Sequence, residues 1–329
     1  MPGNAPIEKH INNFSQLFPP KPRWTVADVP DLTGQTILVT GGSSGLGKDI
    51  CKVLLTSNAK VYLAARSEQK GNAAIVELKS VTGKDAVFFL KIDLADLTSV
   101  RRAADEFIRK EDSLHVLFNN GGIMFPPLNT VTAQGYDSQF GTNVLGHFFL
   151  TRCLLPVLLR TAQSGSNIKH KVRVVNTSSN GHELLSVPGG INWDALKTGD
   201  EALKTRTKLG PQKLYGMSKL GNVLFSNELA RRYGPEGIIS IALHPGTVKT
   251  ELQRHSTSLM DSIINSILAY DITLGVITSL YAGTSEEALS LNGKYLTAWA
   301  RQTLPSKSAL DPELMRKLWE WCEAQVEGY

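Results

Sequence analysis

The chain has 329 residues, 42% of them hydrophobic and 20% charged, a length and balance that fit one large globular α/β domain or two small ones. Its formal net charge is +5, but the basic residues are scattered among acidic ones and are not interleaved with aromatic side chains, which argues against a nucleic-acid-binding surface. The three cysteines, Cys51, Cys153 and Cys322, lack metal-ligand spacing, so we expect reduced thiols and no metal site.

The apolar segments of the sequence do not have the pattern of a signal peptide or a membrane span. Residues 1–33 contain prolines and charges but no apolar core of the length that secretion needs. The longest apolar stretch, residues 145–159, is too short to cross a bilayer, and residues 259–280 are interrupted by acidic and polar side chains. We therefore expect a soluble, cytoplasmic protein.

Strands and helices are predicted to alternate after an irregular, proline-containing leader at residues 1–33. The predicted strands cover residues 36–39, 60–65, 86–92, 115–118, 172–176, 238–243 and 294–297. The predicted helices cover residues 46–57, 68–81, 97–110, 132–159, 212–233 and 271–287, and a terminal helix begins at Pro312 with Asp311 as its cap. This order predicts an α/β fold: a doubly wound, parallel, seven-stranded sheet with helices on both faces.

The predicted domain runs without a linker from residue 34 to residue 329. Two irregular inserts interrupt it, at about residues 180–211 and 248–270. Both follow strand ends, where open α/β sheets bind their ligands. We therefore expect the inserts to border the binding site.

A glycine-rich turn, Thr40-Gly41-Gly42-Ser43-Ser44-Gly45-Leu46-Gly47, directly follows the first predicted strand and begins the first helix. The glycines allow the backbone to approach a phosphate, and the helix N-terminus offers N–H groups and a positive dipole end. A turn without a ligand is the alternative, but the position between strand and helix favours dinucleotide binding. The predicted pyrophosphate contacts are Gly41, Ser43, Ser44, Gly45, Leu46 and Gly47.

Arg66, after the second predicted strand, indicates which dinucleotide binds. NAD(H)-binding chains place an acidic residue here to hold the ribose hydroxyls, whereas residues 64–67 contain none. An arginine can pair with the 2′-phosphate of NADP(H), although an ordinary surface arginine is the alternative. The sequence therefore favours NADP(H) over NAD(H). Asp93 and Leu94, after the third strand, are expected beside the adenine.

Tyr215 and Lys219 are four residues apart at the start of a predicted helix and so share one face. A free phenol has a pKa of about 10, and a nearby ammonium group would lower that pKa toward the neutral range. The spacing alone could be a surface pair. Two further features favour an acid–base site: the Ser178-Ser179 pair ends a predicted strand, and Asn143 lies inside a long predicted helix.

These motifs occur in one order along the chain: the glycine turn, Asn119-Asn120-Gly121-Gly122, Asn143, Ser178-Ser179, Tyr215 with Lys219, and Pro245-Gly246. That order resembles the short-chain dehydrogenase/reductase family over roughly residues 34–300. Arg66, the long insert before Tyr215 and the ending Leu318-Trp319-Glu320-Trp321-Cys322 resemble its retinol dehydrogenase-like and WW-domain oxidoreductase-like branch. That branch mostly uses NADP(H), and most retinol dehydrogenases carry a membrane anchor that we do not find here.

The resemblance implies a Rossmann fold and a catalytic tetrad of Asn143, Ser179, Tyr215 and Lys219, with Ser179 preferred to Ser178. It implies that Asn119 and Gly121 line the adenosine side and that Pro245, Gly246 and Thr247 meet the nicotinamide. Tyr215 would exchange the proton, Lys219 would hold the nicotinamide ribose, and Asn143 would fix a water molecule. Helices 132–159 and 212–233 often form a dimer interface in this family, so either a monomer or a homodimer is expected.

The resemblance implies hydride transfer between NADP(H) and a small substrate. The apolar insert after Val248 favours an apolar alcohol, ketone or aldehyde, provided that it covers the site rather than packing on the core. Reduction of a carbon–carbon double bond or a quinone is an alternative on the same scaffold. A non-enzymatic NADP(H)-binding sensor or scaffold is a second alternative, which an intact tetrad disfavours.

Overall fold

The computed structural model describes residues 10–164, 172–247 and 270–329. Its strands form one sheet in the order β3-β2-β1-β4-β5-β6-β7-β8. They are β1 Thr36–Thr40, β2 Lys60–Ala65, β3 Val87–Lys91, β4 Val116–Asn119, β5 Val172–Thr177, β6 Ile238–Leu243, β7 Tyr295–Thr297 and β8 Arg301–Thr303. All pairings are parallel except that of β7 with β8. The predicted seven strands are therefore joined by an antiparallel eighth, formed where the chain turns back after Thr297.

Helices cover both faces of the sheet, as the alternating pattern predicts. They are α1 Asn13–Leu17, α2 Gly45–Thr56, α3 Glu68–Thr82, α4 Leu97–Lys110, α5 Ser138–Phe140, α6 Gly146–Ser164, α7 Gly181–Leu184, α8 Asp200–Tyr233, α9 Ile272–Thr284 and α10 Pro312–Val326. One apolar core lies between the sheet and α4, α6, α8 and α10, and the other between the sheet and α2, α3 and α9. The central strands β1, β5 and β6 are buried along their whole length because both of their faces are covered.

The long helix predicted over residues 132–159 begins later, at Ser138. An isolated bridge pairs Val131 with Asp137, and the Asp137 carboxylate then accepts from the N–H of Phe140 as a helix cap. A π-helical turn, Gly141–Leu145, joins α5 to α6. The helical stretch Ser138–Ser164 has the length and mean hydropathy of a membrane span, but 83% of its most apolar window is buried inside the protein.

The first predicted insert, residues 180–211, is more regular than expected. It contains α7, a 3₁₀ turn at Trp193–Leu196 and the first part of α8. Gly210 breaks α8 with φ 77° and ψ 162°, and Pro211 begins the second part, where its fixed φ is favourable. The predicted helix start at residue 212 therefore corresponds to a restart within α8. The second predicted insert lies outside the described residues apart from Tyr270.

The leader is also not irregular throughout, because it contains α1, which docks on the β7–β8 hairpin. Arg301 donates to the hydroxyl of Ser15 at 3.0 Å and to its carbonyl oxygen at 2.7 Å. The side chain of Gln16 is buried, and its oxygen accepts from the hydroxyl of Thr297 at 3.2 Å. These side-chain contacts could not be foreseen from a segment dominated by prolines.

The terminal helix α10 begins as predicted, with the Asp311 carboxylate accepting from two N–H groups of the first turn and Pro312 at the first position. Trp319 on α10 packs against Phe148 of α6 and Phe225 of α8, with ring centroids 5.0 and 6.0 Å apart. The helix pair that the family resemblance makes a dimer interface is therefore covered by this chain's own C-terminal helix.

Candidate active site

The predicted site residues lie together because they follow the carboxyl ends of parallel strands, which meet at one edge of the sheet. The glycine turn follows β1, Arg66 follows β2, and Asp93 follows β3. Asn120 and Gly121 follow β4, Ser178 and Ser179 follow β5, and Pro245 and Gly246 follow β6. The topology changes direction at β1 and β4, which is the position of the ligand crevice in open α/β sheets.

The glycine turn has a backbone shape that requires its glycines. Gly41 has a φ of 69°, and a β-carbon there would lie 2.8 Å from the Cα of Gly121. A β-carbon at Gly47 would overlap the carbonyl oxygen of Gly41. Ser44, the N-cap of α2, makes no side-chain hydrogen bond to the first turn. The start of this twelve-residue helix thus fits an anionic pyrophosphate.

Arg66 lies exposed at the end of β2, where a 2′-phosphate would be held. Among the described residues it has no hydrogen bond or ion pair, so its guanidinium is available. The hydroxyl of Ser67 instead accepts from the N–H of Lys70 at 3.3 Å and caps α3. This cap leaves the hydroxyl proton of Ser67 available, and the contact of Arg66 with a 2′-phosphate stays a prediction.

Leu94 lies against the loop after β4, since a β-carbon at Gly121 would be 3.1 Å from its Cδ1 atom. The carboxylate of Asp93 accepts from the N–H of Ala95 at 3.0 Å, which fixes the loop after β3. Asp93 and Leu94 follow β3 and Arg66 follows β2, so all three lie on the same side of β1. Their contacts with an adenosine group stay a prediction.

Asn119 requires a correction, because its side chain points into the protein rather than toward an adenosine site. It is 1% exposed, and its amide nitrogen donates to Thr151 on α6 at 3.1 Å and to Asn176 on β5 at 2.9 Å. As the last residue of β4, it faces the covering helix. Asn119 therefore ties together the structure beneath the site.

A buried network that the sequence did not reveal links the glycine turn to Asn143. The hydroxyl of Thr40 accepts from the N–H groups of Asn120 and Gly121, both at 2.9 Å. The Nε2 atom of His147 lies 2.9 Å from this hydroxyl, and its Nδ1 atom lies 3.0 Å from the backbone carbonyl oxygen of Asn143. Because a carbonyl only accepts, Nδ1 carries the proton and Nε2 accepts from Thr40. In the sequence, this network was indicated by a histidine within an otherwise apolar predicted helix.

The side chain of Asn143 lies in the π-helical turn and is fully buried. Its oxygen accepts from the N–H of Ile123 at 2.9 Å, and its nitrogen donates to the carbonyl of Ile123 and the hydroxyl of Ser218, both at 3.0 Å. Ser218 in turn donates to the carbonyl of Tyr215 at 2.8 Å. Asn143 therefore joins the loop after β4 to the helix of Tyr215, and the expected water contact stays a prediction.

Ser179, not Ser178, faces Tyr215. The hydroxyl of Ser178 is buried and donates to the carbonyl of Lys219 at 2.7 Å. The hydroxyl of Ser179 lies beside the ring of Tyr215, since a β-carbon at Gly181 would be 3.4 Å from that hydroxyl and 3.2 Å from the ring. The hydroxyl accepts from the N–H of Gly181 at 3.1 Å and donates to the side-chain oxygen of Asn180 at 3.3 Å. The glycine thus leaves room for the two side chains to meet.

The protonation of Tyr215 differs from the sequence expectation. Burial raises the pKa of its phenol to about 12, although the hydrogen bond with Ser179 acts in the opposite direction. Burial also lowers the pKa of Lys219 to about 8. The ammonium nitrogen donates to the carbonyl of Thr177 at 3.0 Å and lies 5.7 Å from the centre of the tyrosine ring. The predicted lowering of the phenol pKa by Lys219 is therefore wrong for this arrangement, since desolvation is the larger effect.

His182 on α7 supports Ser179 from behind, a contact that sequence reasoning also missed. Its Nδ1 lies 2.7 Å from the carbonyl oxygen of Ser179, and its Nε2 accepts from the N–H of Ser306 at 3.1 Å. The two backbone partners fix the neutral tautomer, with the proton on Nδ1. Burial correspondingly lowers the pKa of His182.

The Pro245-Gly246-Thr247 segment lies at the other end of the site. Gly246 has a φ of 94°, and a β-carbon there would lie 2.8 Å from the ring of Trp299. The carbonyl of Thr247 accepts from the N–H of Tyr270 at 2.8 Å. The segment is therefore backed by the β7–β8 hairpin. Within residues 10–164, 172–247 and 270–329, no three histidine, cysteine or acidic side chains are grouped as metal ligands.

Comparison with known proteins agrees with this geometry. Residues 35–208 match the short chain dehydrogenase family model. The chain is 49% identical to a short-chain dehydrogenase/reductase of Armillaria gallica over 96% of this chain and 97% of that one. It is 37% identical to mouse retinol dehydrogenase 11 over 88% and 85% of the two chains.

Solved structures have the same fold. A protein of Mycobacterium paratuberculosis superposes with a TM-score of 0.69 at 30% identity, covering 92% of this chain and 97% of the other. NADPH-bound carbonyl reductase from chicken fatty liver superposes with a TM-score of 0.61 at 23% identity, covering 84% and 100%. With the sheet order, the glycine turn and the juxtaposed serine, tyrosine and lysine, these similarities establish that the chain is an oxidoreductase of the short-chain dehydrogenase/reductase family.

Proposed function

We propose that the protein transfers a hydride between NADP(H) and an apolar alcohol, ketone or aldehyde, with Tyr215 exchanging the proton. The observation that carries the proposal is the meeting of Ser179 and Tyr215 beside the Lys219 ammonium, at the sheet edge that holds the glycine turn. A protein that only bound the cofactor would not need this set of buried polar groups.

Tyr215 is suited to act as an acid in the direction of carbonyl reduction. With a pKa of about 12 the phenol stays protonated at neutral pH and can donate its proton to an alkoxide oxygen formed beside it. The nicotinamide, when bound, supplies the hydride. The hydroxyl of Ser179 holds the same substrate oxygen through a hydrogen bond and orients it toward the phenol.

Lys219 and Asn143 act on this pair in different ways. Lys219 keeps a positive charge in the site below a pH of about 8, and this charge stabilises negative charge that develops on the phenol oxygen. Its ammonium also has protons left for the nicotinamide ribose, because only the Thr177 carbonyl is bonded to it among the described residues. The side chain of Asn143 joins the loop after β4 to the helix of Tyr215 and so fixes their relative position.

NADP(H) is the proposed cofactor because Arg66 is exposed and free to pair with a 2′-phosphate. A carboxylate there would repel that group, and residues 64–67 contain none. We further propose that the protein is a monomer, since α10 covers the helix pair α6 and α8. A cytoplasmic location is proposed from the sequence alone.

The test compares binding and turnover of both cofactors. We expect fluorescence titration to give at least about tenfold tighter binding for NADPH than for NADH, the strength of one charge-assisted contact. NADPH oxidation should then be followed with apolar ketones and aldehydes, an enone and a quinone. Alcohol products support the proposal. A saturated ketone from the enone would indicate double-bond reduction, and tight NADPH binding without any turnover would indicate a sensor.

A further inference from the structure

Two buried amide side chains at the start of the long helix connect the loop after β4 to α8. Asn143 forms one connection, between Ile123 and Ser218. Gln139 lies one helical turn earlier and forms a second. The N–H of Phe125 donates to its oxygen at 3.0 Å, and its nitrogen donates to the carbonyl of Pro211 at 3.0 Å. The paired connections fix the loop at two points.

The Gln139 connection sets the position of Phe125 relative to Tyr215. Gln139 is 1% exposed, so its two hydrogen bonds are shielded from water. Pro211 begins the second part of α8 directly after the break at Gly210, and Tyr215 lies one turn further along. A shift of the loop would therefore have to break a buried hydrogen bond or move the helix that carries the phenol.

Phe125 has an unusual conformation for a bulky residue. Its φ is 53°, in the left-handed region that large side chains rarely adopt. Its ring lies 5.4 Å from that of Tyr215 at an angle of 74° and is only half-buried. Strained residues of this kind persist where the surroundings fix them, and they concentrate at functional sites. The ring thus forms a fixed, partly open wall beside the phenol.

We propose that Phe125 determines substrate shape at the Tyr215 hydroxyl, favouring flat, conjugated carbonyl compounds over bulky cage-like ones, and that Gln139 is the positioning residue that holds this wall. The inference rests on the proposed function. Aromatic faces pack well against planar groups at ring separations of about 4.5–7 Å, and a rigid wall excludes a thick carbon skeleton. Phe125 provides the aromatic surface, and the two hydrogen bonds of Gln139 hold the loop that carries it in place.

The test uses benzaldehyde as the flat probe and 2-adamantanone as the cage-like one, with NADPH as the reductant. In Phe125→Leu the ratio of kcat/KM for benzaldehyde to that for 2-adamantanone should fall about tenfold, because packing is lost and space is gained. Phe88→Leu is the matched control: Phe88 is also partly exposed and lies 5.4 Å from a tyrosine ring, but on the edge strand β3. Its ratio should stay at the wild-type value.

Gln139→Met removes both clamp hydrogen bonds and should lower the same ratio about threefold, with NADPH affinity unchanged. Gln134→Met is its control, since the oxygen of Gln134 accepts from the N–H of Leu97 away from Tyr215. A purely structural role for Gln139 would reduce kcat/KM for both probes equally and leave the ratio constant. That result would overturn the positioning role.

A ratio within twofold of wild type in Phe125→Leu would overturn the proposal about shape. If the wild-type protein binds NADPH but reduces neither probe, the proposed function fails instead. The shape preference is then tested by binding instead of turnover. Saturation-transfer NMR compares the affinities of the two probes for the NADPH-loaded wild-type and Phe125→Leu proteins. Equal preference in both proteins would again contradict it.

Discussion

The cofactor side of the site is built from short sequence motifs, whereas the substrate side is assembled from distant parts of the chain. The cofactor side comprises the glycine turn with the residues that follow β2, β3 and β4. The proposed substrate side comprises Ile123–Phe125 and Ser179, and α7 beside Ser179 contacts the β7–β8 hairpin through His182 and Tyr295 and the leader through Glu183 and His10. Each cofactor-side segment directly follows one strand and is marked by its own short motif, although the Thr40 hydroxyl also joins the glycine turn to the loop after β4. On the substrate side, Arg301 binds Ser15 across 286 residues of sequence and Ser306 binds His182 across 124.

This difference predicts that the two sides respond differently to substitution. Local motifs with fixed backbone shapes tolerate no added atom. Substitutions in them should therefore weaken cofactor binding strongly and affect little else. The long-range contacts are individual hydrogen bonds, each contributing about 1 kcal/mol to stability. Removing one of them should have a smaller effect, seen in the free energy of unfolding or in substrate preference.

Gly47→Ala should weaken cofactor binding more than any other change to these two sides, because the new β-carbon would overlap the carbonyl oxygen of Gly41. We expect the Kd for NADPH to rise by a factor of about 100 or more, since the turn must open before it can hold a phosphate. Gly34→Ala is the control, with a φ of 84° but no atom near the added carbon. It should lose stability without changing the Kd measured by fluorescence.

Acid should destabilise the cofactor side through His147. Burial lowers its pKa to about 4 from an ordinary value of 6.5, so between these values the unfolded chain takes up a proton that the folded one refuses. Stability is therefore lost as the pH falls from 6.5 toward 4, by up to about 3 kcal/mol for this residue. Urea unfolding at pH 7 and pH 4.5 measures the loss. An equal loss in His147→Gln would assign it to other groups.

Arg66→Ala should weaken NADPH binding about tenfold and leave NADH binding unchanged, because only NADPH carries the 2′-phosphate. The two Kd values from parallel fluorescence titrations provide the measurement. Arg102→Ala, which removes another exposed arginine on α4, should change neither value. A similar rise in the Kd of both cofactors in Arg66→Ala would show that the arginine does not bind the 2′-phosphate.

Arg301→Leu should have the smallest effect and probes the substrate side. It removes the two hydrogen bonds that hold the leader at Ser15, so the free energy of unfolding should fall by about 1–2 kcal/mol. Limited proteolysis should then cleave the leader faster. Arg160→Leu, which removes one exposed contact to a loop carbonyl, should remain within about 0.5 kcal/mol of wild type. Unchanged leader cleavage in Arg301→Leu would contradict the docking role.

Much of the fold could be predicted from sequence because hydrophobic alternation and caps act locally. The strand and helix segments, the glycine turn and the Asp311 cap follow from residues that contact their own neighbours. The candidate catalytic residues could be named because their motifs resemble those of the family in order and spacing. The eighth strand and the helical insert could not, since three residues of β8 and a short α7 have no periodicity to detect.

The electrostatics of the site could not be predicted because they depend on burial. The sequence places Lys219 one turn from Tyr215 and suggests a lowered phenol pKa, but complete burial of both groups reverses the sign. Gln139 and His147 were missed for a related reason. Each is a single polar residue whose partners lie on other elements, and the partners become visible only in three dimensions.

The central claim is that Tyr215 donates the proton, and it is tested most directly by NADPH-driven carbonyl reduction in wild-type and Tyr215→Phe proteins between pH 6 and pH 9.5. The wild-type rate should be level at neutral pH and fall above a pH of about 8, as Lys219 loses its charge. The Phe variant should bind NADPH normally but react at least about a thousandfold more slowly throughout. A Phe variant that keeps its rate to within tenfold of wild type would contradict the account.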